Sequence, residues 1–146
     1  LPPAICRFQL PDYNKTITIA TSQISRSADG YDWSRIDLDS NDSYLNSLSA
    51  KSFPICANDP SIGTNIVILG YPGIGSQTDI TATEGIISGF DGNYFITSAK
   101  VEKGNSGGAA IMLKNNCYLG IPTFSRTGTI EALARILKAQ FIFPMQ

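Results

Sequence analysis

The 146 residues amount to one domain-sized unit, long enough to bury a core. With 42% hydrophobic and 16% charged residues the chain is globular, and its net charge of −1 argues against a nucleic-acid or anionic-membrane partner. There is no histidine, and the three cysteines (Cys6, Cys56 and Cys117) show no CxxC spacing, so neither a metal centre nor a cofactor is expected. That count suits one disulfide with one free thiol as well as three buried thiols.

In chain order, LPPAIC (1–6) has neither a basic stretch nor an apolar run, so no signal peptide is expected, and the start is abrupt for a native terminus. KTITIATSQI (15–24) reads as a strand with Ile17 and Ile19 on one face, and DWSRIDLD (32–39) as a weaker one. Residues 40–62, rich in Ser, Asn, Asp and Pro, have the composition of a connecting segment. Strands are then expected at 65–71, 80–90, 94–100, 108–113 and 117–124, with turns at PGIGSQTD, DGN and KNN. None of the apolar runs approaches the length of about 18 residues that a membrane span needs. In TIEALARILKAQF (129–141), Ile130, Leu133, Ala134 and Leu137 fall at i, i+3, i+4 and i+7, which predicts an amphipathic helix with Thr129 as its cap. Short strands closed by one helix suggest a β-barrel with a packing helix.

The densest chemical signal is GNSGG at 104–108. Gly104 lets the backbone turn so that the N–H groups of residues 104 and 106 point the same way. Converging donors of that kind form an oxyanion hole for a tetrahedral intermediate. Gly107 and Gly108 remove side chains where a substrate backbone must come close. Taken alone, the pentapeptide also reads as a glycine-rich hairpin with an exposed serine.

Its flanks narrow the reading. ITSAKVEKGNSGGAAI (96–111) resembles, without a gap, the serine loop of trypsin-like (chymotrypsin-fold) serine proteases, especially the HtrA/Deg-like branch. There a T-[DS]-A element leads into GNSGG and an apolar strand. IGTNIVILGYPGIGSQTDITATEGIISGF (62–90) resembles the run before that loop, and CYLGIPTF (117–124) the strand beside the specificity pocket. DGYDWSRIDLD (29–39) resembles the catalytic-aspartate strand, with Trp33, Ile36 and Leu38 at the apolar offsets from Asp32. Arg35 departs from the pattern, and Asp29 and Asp37 are rivals for the aspartate role.

The resemblance implies a mostly-β, chymotrypsin-like double β-barrel. Residues 1–40 would be the last part of the N-terminal barrel, 41–60 the linker, 61–128 the complete C-terminal barrel and 129–141 the C-terminal helix. It implies a serine endopeptidase with Ser106 as nucleophile, Asp32 as the orienting acid, and an oxyanion hole around Gly104, Asn105 and Ser106. The substrate would be a peptide or unfolded protein bound by Ala99, Lys100, Ile121, Pro122 and Thr123. Lys100, six residues before Ser106, stands where a preference for Arg or Lys at P1 would need an aspartate; small or medium apolar P1 groups suit Ala99 and Ile121 better. Pro122 has no N–H to offer a substrate strand. The family leans to sites outside the cytoplasm, periplasmic or secreted.

A serine hydroxyl needs a positioned base, and in this family the base is a histidine. Three expectations compete. The chain is a fragment whose histidine lies on an N-terminal segment that completes the first barrel; or it is a protease-like module that binds peptides without cleaving them; or Lys103 or Lys100 serves as the base.

Overall fold

The computed structural model describes residues 5–8, 10, 16–38, 41–49, 51–71, 79–101, 104–123 and 133–143. The chain divides into two compact units, Leu1–Ser52 and Phe53–Gln146.

In the first unit β1 (Ile5–Phe8) pairs antiparallel with β2 (Ile17–Ala20). Alternation along ITIA buries Ile19 and turns Thr18 to solvent. The strand expected over 15–24 is interrupted by a 3-10 turn at Thr21–Gln23 and resumes as β3 (Ile24–Arg26), which pairs with β4 (Ser34–Ile36). Within the expected connecting segment lies a helix, α1 (Ser43–Ser49). Asp42 caps it: Oδ1 accepts the N–H of Tyr44 at 2.9 Å and of Leu45 at 3.0 Å, satisfying two orphan donors of the first turn. Seven residues do not hold a helix in water alone; the cap and the burial of Leu45 supply what propensity lacks.

The second unit is a closed antiparallel barrel. Its strands are β5 (Asn65–Gly70), β6 (Thr81–Asp91), β7 (Tyr94–Thr97), β8 (Ala109–Met112), β9 (Cys117–Thr123) and β10 (Ala134–Lys138), in the order β10-β7-β6-β5-β8-β9. The NIVILG alternation sends Ile66 and Ile68 inward, where Ile87, Phe95, Met112, Leu119 and Ile136 meet them. Each such side chain contributes about 1.5–3 kcal/mol on burial. The KNN turn between β8 and β9 is made possible by Asn116, whose φ of 52° is one that asparagine tolerates.

The helix expected over 129–141 is a correction. Residues 129–132 lie outside the described residues, Ala134–Lys138 is strand β10, and only Ala139–Phe141 forms a 3-10 turn. The segment has both periods. Ala134 and Ile136 are buried on either side of half-buried Arg135, as in a strand, while buried Leu137 lies three residues after Ala134, as on a helical stripe. Tertiary pairing decides: β10 joins β7 on one side and β9 on the other, so a helix there would leave two strand edges open.

At the start of β9, Cys117 is joined to Cys56, with Cα atoms 4.8 Å apart, which sets aside the expectation of three thiols. The ladder between β9 and β10 runs only as far as Gly120. Beyond it residues 54–56 take over the β9 edge: Tyr118 N–H donates to Pro54 C=O at 2.7 Å and Cys56 N–H to Tyr118 C=O at 3.0 Å. Nearby, Lys138 Nζ lies 3.0 Å from Asp59 Oδ2 and 5.0 Å from the Phe95 ring centre. Burial pushes the Tyr118 phenol up to about 12.

Candidate active site

Ser106 sits on an exposed turn at the entrance to β8. Gly104 and Gly107 have φ of 105° and 86°, values that a side chain would oppose, so the backbone reverses on both sides of the serine. The turn is closed by Gly108 N–H donating to Asn105 C=O at 3.0 Å. It is tied to β9 by Gly107 N–H donating to Pro122 C=O at 3.1 Å. Gly104 and Ser106 are exposed, whereas Asn105 between them is fully buried.

Asn105 rests on the end of β5. A Cβ added at Gly70 would lie 2.6 Å from Asn105 Oδ1 and 3.2 Å from its Cα, and one added at Gly108 would meet the Leu69 carbonyl oxygen. The strand end and the serine turn thus approach more closely than side chains allow. Neither Oδ1 nor Nδ2 of Asn105 has a hydrogen-bond partner. An unpaired buried amide of this kind costs about 1–3 kcal/mol, so its presence is a feature that stability alone does not explain.

The substrate-side residues fall on two segments. Ala99 and Lys100 follow β7 and are pinned to β6 by hydroxyls. Buried Thr97 Oγ1 donates to Ile86 C=O at 2.8 Å and accepts Ala99 N–H at 3.0 Å. Ser98 Oγ accepts Ile86 N–H at 3.1 Å, and Thr83 Oγ1 donates to Lys100 C=O at 2.8 Å. Ala99 is fully buried and Lys100 exposed. Ile121 and Thr123 are half-buried, and Pro122 is buried. In an antiparallel strand a residue's N and C=O face the same edge; Pro122 C=O faces Gly107, so its missing N–H costs the β9–β10 ladder nothing. Ser98 belongs to the stretch that the resemblance places at the primary pocket; Thr97 and Thr83 were not singled out, although the TSA element carried the signal for Thr97.

Asp32 lies in the first unit, exposed and ahead of β4. The turn before it is shaped by Gly30 (φ 81°) and by Ser27 Oγ, which accepts the N–H of Asp29 at 3.2 Å and of Tyr31 at 3.0 Å. Of its rivals, Asp37 Oδ1 stands 3.6 Å from Nε of Arg35, the residue that departs from the family pattern. Lys103 lies outside the described residues. Among those described, no group of three or more His, Cys, Asp or Glu is placed to hold a metal ion.

The family model of the trypsin-like peptidase domain matches residues 11–121. The chain belongs to that family. The structure agrees: a serine endoprotease from Yersinia pestis superposes with a TM-score of 0.53 at 30% identity, over 62% of this chain and 32% of that one. An HtrA-type protease, AlgW, solved with a tripeptide, has the same fold, with a TM-score of 0.50 at 23% identity over 62% of this chain and 33% of its own. This trypsin-like domain therefore spans about a third of the length of either structure. No significant match to a curated protein sequence was found. Among its described residues no helix is long and apolar enough to cross a membrane.

Proposed function

We propose that this trypsin-like domain is the nucleophile-bearing part of a serine endopeptidase. The observation that carries the reading is the Ser106 turn, an exposed serine held between two positive-φ glycines and tethered to β9 at the mouth of a closed barrel. Ser106 Oγ attacks the peptide carbonyl, and the N–H groups of Gly104 and Ser106 receive the charge that develops on its oxygen, with Asn105 shaping the turn. A base takes the hydroxyl proton and passes it to the departing amine; water then hydrolyses the acyl-enzyme. Asp32 orients that base, a role for which Asp37 is less suited because Arg35 stands beside it. The 146 residues hold no histidine, so the base comes from a segment outside this sequence. That segment completes the first barrel, and a groove within the first unit, in which Ile17, Ile19, Ile36, Leu38 and Leu45 are interleaved with polar residues such as Thr18, Gln23 and Asp42, offers it a seat of mixed character. Lys100 is exposed, without the burial that a lysine base requires. An extended peptide, the chemistry of the tripeptide bound by AlgW, runs beside Ile121–Thr123, and its P1 side chain is small or medium and apolar, next to Ala99 and Lys100.

The absence of histidine favours a second reading, a module that binds extended peptides without cleaving them. A fluorophosphonate and casein separate the two on the full-length protein. The peptidase reading expects an adduct on Ser106, and at least about a 10³-fold loss of casein hydrolysis in Ser106→Ala with peptide binding kept. Peptide binding with neither adduct nor hydrolysis in the unaltered protein establishes the binding module.

A further inference from the structure

The side chain of Asn105 is completely buried, and neither of its polar atoms is hydrogen-bonded. It is therefore held by shape alone. The surface that shapes it is the bare Cα of Gly70, the last residue of β5. Strand register explains why they meet. Leu69 of β5 is opposite Ala109 of β8, so the next residue of β5 lies beneath the turn that leads into β8. The Ser106 N–H belongs to the peptide plane that joins Asn105 to Ser106, so any shift of the Asn105 Cα rotates that donor.

We propose that Gly70 is a positioning residue for the serine turn: its missing side chain is the seat that holds Asn105 and thereby aims the Ser106 N–H. The proposal deepens the peptidase reading above and rests on it for its catalytic consequence. A Cβ at position 70 meets Oδ1 at 2.6 Å, the Cα at 3.2 Å and Cγ at 3.3 Å of Asn105. A fully buried side chain has nowhere to swing, so the backbone of the turn must move instead. A displacement of this kind at an oxyanion donor lowers reactivity by about 100-fold.

The test uses Gly70→Ala, Asn105→Ala and the double variant of the full-length protein, with two readouts. The first is the backbone amide spectrum: Gly70→Ala displaces the resonances of Gly104, Asn105 and Ser106 and leaves Met112 and Cys117 in place. The second is the fluorophosphonate labelling rate at Ser106, which falls about 100-fold in Gly70→Ala. In the double variant, which loses two of the three close contacts, that rate returns towards the rate of Asn105→Ala alone. Should Gly70→Ala fail to fold, a folded double variant supports the seat, whereas two unfolded variants show that Gly70 serves β5 and overturn it. Unmoved amides overturn it too, as does a normal labelling rate despite moved amides. If the unaltered protein takes no label, the peptidase reading falls and the amide spectrum still decides whether Gly70 seats Asn105.

Discussion

The two ends of the β8–β9 hairpin are held in opposite ways. At the far end the chain uses side-chain chemistry: the Cys56–Cys117 disulfide, the Lys138–Asp59 ion pair, and residues 54–56 laid along the edge that β10 leaves open. At the serine end it uses the absence of side chains. Gly70, Gly104, Gly107 and Gly108 let backbones approach and reverse, and the one large group enclosed, the Asn105 amide, is unpaired. The first end adds stability, and the second spends some of it to hold a backbone in an unusual shape around Ser106. Strain and unmet polar groups gather where chemistry is proposed.

Mutations probe this contrast. The largest expected effect sets the scale: Ile136→Ala, in the shared core, costs about 2–5 kcal/mol by chemical denaturation. Next, replacing Cys56 and Cys117 by Ser costs about 2–4 kcal/mol, because the cross-link closes a sequence separation of 61 residues. If the ends are independent, that double variant leaves the Ser106 amide resonance where it was. Smaller and opposite in sign, Asn105→Leu raises stability by about 1 kcal/mol by removing the unpaired amide, while fluorophosphonate labelling falls. A loss of stability there would break the contrast.

A last effect is confined to alkaline pH. The Tyr118 phenol titrates near its ordinary value of 10 in the unfolded chain and at about 12 in the fold. Below pH 10 it is protonated in both states and its contribution to stability is complete. Between 10 and 12 the unfolded chain releases the proton first, so stability falls as pH rises. Denaturation of the native protein and of Tyr118→Phe across that window should show the fall in the first and a flatter profile in the second.

Much of the barrel was legible because its strands carry their own pattern. Ile66, Ile68 and Ile87 alternate with outward residues, and DGN and KNN mark the turns where Gly92 and Asn116 take positive φ. The serine turn was legible for the same reason, since only glycine suits the backbone at 104 and 107. Three elements were missed: strand β1, helix α1 and strand β10. Helix α1 was signalled by Asp42 as its cap but is too short to show a period. Residues 134–138 fit a helical stripe, and their fate rested on partners distant in sequence.

By itself, then, the sequence determined the strand-rich class, the order of the second-unit elements up to β9, and a serine between glycines, because these depend on local periodicity and backbone freedom. Only the tertiary structure decided that β10 closes the barrel, that Cys56 joins Cys117, and that Gly70 lies under Asn105. Each of those depends on which strand edges and which empty spaces meet, and neighbours in sequence carry no record of that.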